Sequence, residues 1–359
     1  MRTHILLAGL LLAGCRQNAS TVKLGMAGPL SENYGRMTLR GAELARDEIN
    51  ARPDQRIKIA LDTADDGADG KRAATIAQRF VDDPEVVGVV GHVTSGAMRA
   101  AAKVYDGSLT AIATSASAAE LTGISSWAFR VISSDSANGV TLARFANRLG
   151  KKRVAILYEN SAYGRGLAES FRQAFRGEVL SFDPIGEGRD QDFEPFVAFF
   201  QQRKPELLFV ASTEVSGLPL VRAIRAAGLS VDLMGGDGWT GMTLDPTNTE
   251  GVYVGAPFTG EDTRPEARRF TERFRARYHM EPDGNAALGY DATHLFAAAL
   301  RAVGGERARI HEYMTRLDAR SALSGATGRV HFTSGGDPAE TGMVMTRVER
   351  GVLKLAEAR

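Results

Sequence analysis

VVGVVGHVTSGAMRAAAKVYDGSLTAIATSASAAELT, residues 86–122, holds two short apolar runs, 86–90 and 109–113. Each is bounded by glycine or small polar residues, and each precedes a helical pattern, as buried strands of a parallel sheet do. Hydroxyls cluster after each run: Thr94 and Ser95, then Thr114, Ser115 and Ser117. Ser95 stands where a helix begins, with Ala97, Ala100, Ala101 and Val104 spaced along one face behind it. Ser117 and Glu120 match the S-x-x-E capping box, which predicts a second helix start. Two helix N-termini then direct free N–H groups into one crevice at the C-terminal edge of a sheet. Such a crevice suits an anion, including a carboxylate.

Working outward, the chain before this stretch reads strand (21–27), helix (34–49), strand (57–62) and helix (71–81), with a Gly-Pro-Leu-Ser turn at 28–31 and an acidic loop at 65–70. The order β-α-β-α-β-α-β predicts a doubly wound α/β domain, whose ligands bind beyond the C-terminal strand ends. After a strand at 129–132, Ser133-Ser134-Asp135 caps a helix at 136–149 and the alternation restarts. Strands follow at 152–158, 179–184, 207–210 and 233–235, with helices at 166–175, 193–202 and 216–227. The second half therefore repeats the architecture of the first, and 359 residues are too many for one ordinary core. A further strand (252–257), helices at 265–278, 285–303 and 311–317, and a hairpin at 342–348 and 351–355 complete the chain.

The first fifteen residues differ from the rest. Arg2 precedes an apolar run at 5–12 that is too short to span a bilayer, and Leu12-Ala13-Gly14-Cys15 closes it. This order resembles a bacterial lipoprotein signal, which implies removal of residues 1–14, lipidation of Cys15 and a short tether at 15–20. Cys15 is the only cysteine, so no disulfide, thiol nucleophile or cysteine metal site is expected in the folded part. The formal charge of +1 offers no electrostatic case for nucleic acid or for an anionic membrane surface.

Signals for catalysis are poor. His4, His92, His279, His294, His311 and His331 show no metal-ligand spacing. There is no Walker A sequence, the glycines at 25–28 do not complete a dinucleotide fingerprint, and 91–96 is not a nucleophile elbow. No enzyme activity, metal or cofactor is expected. The loop at 65–69 lacks the order of a calcium loop and reads as solvated.

Two acids are candidates to accept hydrogen bonds from an ammonium group. Asp237 lies between glycines after the strand at 233–235; the alternative reading is a plain Asp-Gly turn. Glu214 follows the strand at 207–210 and can play a similar part or cap the next helix; Asp237 is preferred. An echo links the halves: Tyr34-Gly35-Arg36 and Tyr163-Gly164-Arg165 each stand at a strand–helix junction. Each Tyr either lines the space between two facing lobes or packs its own loop.

Taken together, these stretches resemble the type I periplasmic solute-binding proteins of the branched-chain amino acid and amide class, which serve ABC transporters. The resemblance runs through 22–25 with 28–31, 40–45, 48–50, 91–95, 113–122, Phe129-Arg130 before Asp135, Tyr163-Gly164, 226–229, 236–238 and 289–292. It implies an α/β fold of two doubly wound parallel-sheet lobes joined by three hinge crossings, near 131–133, 256–258 and 332–336. Lobe 1 is then 21–132 with 258–333, and lobe 2 is 133–257 with 334–359.

It also implies roles. Ser95 donates its hydroxyl and N–H to a ligand carboxylate, Ser115 offers backbone groups, and Ser117 offers a hydroxyl and N–H. Tyr34 and Tyr163 line the cleft, and Asp237 pairs with the ammonium. This sequence departs from leucine-type relatives in having Thr213 where an aromatic residue is common and Thr94 where some have a disulfide cysteine. Trp239, Phe258 and Tyr290 are the aromatic candidates to cover a ligand side chain.

The expected protein is thus a monomeric, lipid-anchored solute receptor facing the periplasm or cell exterior, which passes an amino acid or related small polar solute to an ABC permease. A sensor built on the same trap is the alternative, and an exported α/β enzyme lacks a nucleophile–base pair.

Overall fold

The computed structural model of the protein describes residues 20–340 and 342–357. The expected signal segment and Cys15 lie outside these residues. The chain begins with β1 (Ser20–Gly28), α1 (Asn33–Ala51), β2 (Ile57–Asp65), α2 (Gly70–Asp82), β3 (Val86–Gly91), α3 (Ser95–Tyr105), β4 (Ala111–Ala113) and β5 (Ala128–Arg130). These five strands form one parallel sheet in the order β2-β1-β3-β4-β5.

The chain then leaves that sheet for α4 (Asp135–Arg148), β6 (Arg153–Glu159), α5 (Ala162–Ala174), β7 (Glu178–Ile185), α6 (Glu194–Arg203), β8 (Leu207–Ala211), α7 (Glu214–Ala226), β9 (Asp232–Gly235), α8 (Pro246–Thr249) and β10 (Tyr253–Ala256). It returns to the first sheet with α9 (Pro265–Tyr278), α10 (Gly284–Val303) and α11 (Arg307–Thr315). After the small ladder β11 (Leu323–Ser324) and β12 (Arg329–Val330) it crosses a third time to the hairpin β13 (Val344–Glu349) and β14 (Val352–Leu355). The second sheet runs β14-β13-β10-β9-β8-β6-β7, parallel except for the hairpin at its edge.

Both halves follow one winding. The first strand of each half (β1, β6) lies between its second (β2, β7) and third (β3, β8). Each sheet therefore reverses direction at one point, β1/β3 and β6/β8, where the loops diverge and leave a crevice. The Tyr-Gly-Arg echo falls at equivalent places, just after β1 and β6. Its glycines are required by packing: a Cβ on Gly35 would lie 2.1 Å from the Pro29 carbonyl oxygen, and one on Gly164 2.4 Å from that of Glu159.

The central strands β3 and β8 are apolar runs buried on both faces, as parallel strands under helices must be, whereas the edge strands β2 and β7 are only partly buried. α10 is buried nearly all round, and its apolar sequence allows that. It crosses α1 closely because Gly41 faces the Ala286 backbone and Gly289 faces the Thr38 backbone. Arg130, 3 % exposed, ties two crossings together at the end of β5. It donates to Asp337 (2.6 Å), to the Ala118 carbonyl (2.8 Å) and to Thr122 Oγ1 (2.8 Å).

Several expectations need correction. The Ser117–Glu120 capping box does not start a helix: only a three-residue 3-10 turn, Ala119–Leu121, forms there. Glu120 instead pairs with Arg99 at 3.0 Å, and the chain must soon re-enter the sheet at β5. α5 starts four residues earlier than its apolar pattern, because Ser161 caps it by accepting from the Gly164 N–H (3.1 Å). α11 likewise starts at Arg307, before the expected 311.

The loop at 65–69 is not simply solvated. Asp65 accepts from the N–H groups of Leu30 and Ser31, Asp69 caps α2, and Asp66 is fully buried against His92. His92, in the loop after β3, is a buried strut: Nδ1 meets Asp66 at 2.7 Å and Nε2 meets the Tyr105 hydroxyl at 3.0 Å. No helix among the described residues is long and apolar enough to cross a membrane.

Candidate ligand-binding site

A cavity of about 940 Å³ lies between the two sheets. Its walls come from the loops after β1, β2, β3 and β4 on one side and after β6, β7, β8 and β9 on the other, with Asn285 of α10 joining them. This is the crevice that doubly wound sheets leave beyond their carboxyl ends, here built from two sheets facing each other.

On the first wall, Ser95 opens α3, and its backbone N–H and the next two have no intrahelical acceptor. Gly96 faces open space, so nothing shields this helix terminus from the cavity. Ser95 Oγ accepts from the Ala118 N–H at 3.1 Å, which binds the loop after β3 to the loop after β4. Thr94 also lines the cavity, and its hydroxyl is buried without a hydrogen-bond partner. Ser115 lines it with its side chain already engaged: Oγ donates to Asn285 Oδ1 (2.7 Å), and Asn285 Nδ2 donates to Thr240 Oγ1 (2.9 Å) on the second half. Asn285 thereby bridges the halves. Ser117 is fully buried beside the cavity rather than lining it, and its Oγ is likewise unpartnered.

The second wall is acidic. Asp237 begins a 3-10 turn after β9 and lines the cavity while 6 % exposed. Tyr163, in the first turn of α5, donates its hydroxyl to Asp237 Oδ1 (3.2 Å) and accepts from the Gly238 N–H (3.0 Å). Burial pushes the Asp237 carboxyl up to about 7, against the pull of its hydrogen bonds. Asp135, at the start of α4, is fully buried with both oxygens unpartnered. Burial, with the Asp237 charge adding, raises it well above the usual carboxylate range.

Glu214 does not line the cavity. It is packed at the start of α7 beside Gly241, both oxygens unpartnered, and burial followed by the nearby Asp283 charge pushes it up to about 8. Tyr34 lines the cavity from the first turn of α1, its hydroxyl pKa raised by burial and then by Glu214 and Glu159.

The three aromatic candidates for covering a side chain are elsewhere. Trp239 is wholly buried in the core of the second half, its Nε1 donating to Ser212 Oγ at 2.8 Å. Phe258 and Tyr290 belong to the core under α10, and the Tyr290 hydroxyl donates to Glu48. The aromatic surfaces on the cavity are Tyr34 and Tyr163 themselves.

Sequence reading missed Glu159 and Asn285. Glu159 ends β6, lines the cavity, and accepts at Oε1 from Thr213 Oγ1 (2.8 Å) and from Ser216 Oγ. A charged residue closing an otherwise apolar strand was its signal. Among the described residues no group of His, Cys, Asp and Glu is arranged to hold a metal ion.

Two facing α/β sheets enclosing one polar cavity, with a helix terminus on one wall and carboxylates on the other, suit capture of a small dipolar solute. The periplasmic binding protein family model matches residues 21–352. The chain belongs to that family. This periplasmic binding protein is 32 % identical over 299 residues to an amino acid binding protein of Pseudomonas aeruginosa, an alignment covering 79 % of each chain. It is 29 % identical over 294 residues to a Leu/Ile/Val-binding protein of Citrobacter freundii, covering 76 % of this chain and 79 % of that one. Its fold matches the branched-chain amino acid transporter substrate-binding protein LivJ of Streptococcus pneumoniae, solved with isoleucine. The TM-score is 0.87 at 26 % identity, covering 94 % of this chain and 99 % of LivJ. Members of the family bind solutes and are not enzymes, in keeping with the missing nucleophile–base pair.

Proposed function

We propose that this periplasmic binding protein captures an amino acid between two lobes and delivers it to an ABC permease. The observation that carries the reading is one cavity with an open helix N-terminus at Ser95 on one wall and Asp237 on the other. A zwitterion satisfies both at once: its carboxylate takes the N–H groups and hydroxyl at Ser95, and its ammonium takes Asp237. The unpartnered hydroxyl of Thr94 beside Ser95 supports this, since a buried donor without an acceptor is costly and a carboxylate supplies acceptors. Ser115 contributes backbone groups, its hydroxyl being held by Asn285. Tyr34 and Tyr163 form the cleft walls, and Glu214 supports the second wall from behind, mainly protonated below about pH 8.

In this reading 21–132 with 258–333 and 133–257 with 334–359 move as two bodies about the three crossings, and the ligand shifts the population toward the closed form by its better contacts there. The mature chain is a monomer held to the membrane by lipid on Cys15. The relatives' names, amino acid binding and Leu/Ile/Val-binding, support the ligand class.

A thermal-shift series on the purified protein with the common amino acids, small amides and aromatic acids tests the reading. A ligand at a hundred times its Kd raises stability by about 2.7 kcal/mol, which is readily seen. Failure of every α-amino acid to shift the transition rejects it. For the anchor, Cys15→Ala should move the protein from the membrane fraction to the soluble exported fraction.

A further inference from the structure

The charge around the cavity does not balance if the ligand brings only one ammonium. Several of the lining acids have cations of their own: Glu120 has Arg99 (3.0 Å), Glu32 has Arg189 (2.5 Å) and Glu169 has Arg172 (2.7 Å). The remaining lining arginine, Arg165, donates to Asn160 Oδ1 at 2.6 Å. Glu159 and Asp237 are left as buried carboxylates, 4 % and 6 % exposed, with no cation paired to either among the described residues. A zwitterion's ammonium serves one of them. A second buried carboxylate without a counter-charge is a cost that either a proton or a ligand cation removes, and a ligand cation that displaces the proton gains a charge-assisted partner.

Glu159 is held for such a task. The hydroxyls of Thr213 and Ser216 both donate to Oε1, which fixes the side chain and offsets part of the burial that raises its pKa. Oε2 takes no hydrogen bond among the described residues, so half of the carboxylate remains to receive a donor. Glu159 and Asp237 line the same cavity as Tyr163, which lies four residues after Glu159 and bonds to Asp237. Tyr34, Val93 and Val215 supply apolar surface along the same cavity, as a methylene stem requires. The volume, about 940 Å³, lies at the upper end for small-molecule pockets and leaves room for a long side chain.

We infer that the solute carries a second cationic group, an amine or guanidinium at the end of its side chain, and that Glu159 is the residue that selects it. This rests on the amino acid reading above and narrows it to basic amino acids. The side-chain cation makes a charge-assisted hydrogen bond to Glu159 Oε2 while the α-ammonium occupies Asp237.

Isothermal titration of the full mature chain with L-lysine, L-arginine, L-norleucine and L-leucine decides it. Norleucine matches lysine in length and lacks only the terminal amine. Lysine or arginine should bind at least tenfold more tightly than norleucine, and Glu159→Gln should remove that advantage while leaving norleucine within about twofold. Tighter binding of norleucine or leucine than of either basic amino acid overturns the inference and leaves the amino acid reading standing. Binding of no amino acid overturns both. An equal loss for lysine and norleucine in Glu159→Gln assigns Glu159 a structural role and also overturns the inference. Should that variant fail to fold, the wild-type ratio of lysine to norleucine decides alone.

Discussion

Asp237→Asn separates the charge of this residue from its place in the wall. Asparagine keeps the size and can still accept from the Tyr163 hydroxyl, so the turn after β9 should persist. A charge-assisted hydrogen bond is worth about 1.5–3 kcal/mol, so at pH 8 the variant should bind a neutral amino acid roughly 10- to 150-fold more weakly. The size of the loss depends on pH. Burial pushes Asp237 up to about 7, so below neutrality the empty site holds a proton that the incoming ammonium must displace. That displacement costs about 1.4 kcal/mol per pH unit below 7. Wild-type affinity should therefore rise about fivefold from pH 6 to pH 7, about tenfold from pH 6 to pH 8, and level off above pH 8. In Asp237→Asn that slope should be lost.

The groups facing Asp237 are Tyr163, whose hydroxyl is itself raised by burial and ionises only in strong alkali, and Asp135. Any slope left in the variant belongs to Asp135, and Asp135→Asn on the same background removes it. Calorimetric titration at half-unit steps from pH 5.5 to 8.5 reads the effect directly. A wild-type affinity that is flat across this range, or a variant with the same slope as wild type, refutes the placement of the ammonium at Asp237.

Other outcomes follow from the same coordinates. Asp237, Asp135 and Glu214 all have folded-state values raised above the unfolded ones, so the folded protein holds extra protons between about pH 4 and pH 8. Their contribution is complete below the unfolded values and is lost as pH rises through 7 to 8, so the melting temperature of the ligand-free protein should fall over that interval in scanning calorimetry. Arg130→Met strips the bonds to Asp337, Ala118 and Thr122 at the crossings and should cost about 3 kcal/mol in urea unfolding. Gly41→Ala puts a methyl 1.9 Å from the Ala286 carbonyl oxygen; α1 and α10 must part, at about 2–3 kcal/mol by the same measurement. Asn285→Ala breaks the Ser115–Asn285–Thr240 bridge between the halves, and stopped-flow release of bound ligand should be roughly fivefold faster for a loss of about 1 kcal/mol.

The architecture was legible because its signals are local. Short apolar runs such as 86–90 and 207–210, each followed by small or polar residues and a helical pattern, read as buried strands, and the repetition of that pattern doubles the sheet. Ser95, Tyr34, Tyr163 and Asp237 were legible as places, because each follows a strand and such loops converge at the carboxyl edge. Their partners were not. Ser115 meets Asn285 across 170 residues, and Tyr163 meets Asp237 across 74, and no spacing rule reaches that far. The capping box at Ser117 shows a local signal losing to tertiary ones, since Arg99 claims Glu120 and β5 limits the length of chain left for a helix. Trp239 shows the reverse case. It was a candidate for the cleft, yet Gly217 and Gly235 open a slot for its indole in the core, and a Cβ on either would lie within 2.5 Å of the ring.

The buried acids carry a cost that links stability to binding, and that cost, unlike their positions, is not visible in the sequence. Asp135 and Glu214 have no hydrogen bonds to their carboxylates, and Asp237 has only the Tyr163 hydroxyl. A fold selected for stability alone would have paired them or replaced them with apolar side chains. Kept close to the cavity, they make the empty protein hold protons it would release to solvent if unfolded. In the proposed reading a cation at Asp237 or Glu159 displaces such a proton, so the hold of the second wall on it strengthens as pH rises through the values of these acids. Closure then depends on the other end of the ligand, because the Ser95 helix terminus lies on the first wall and differential affinity for the closed form is all that a ligand has to drive it.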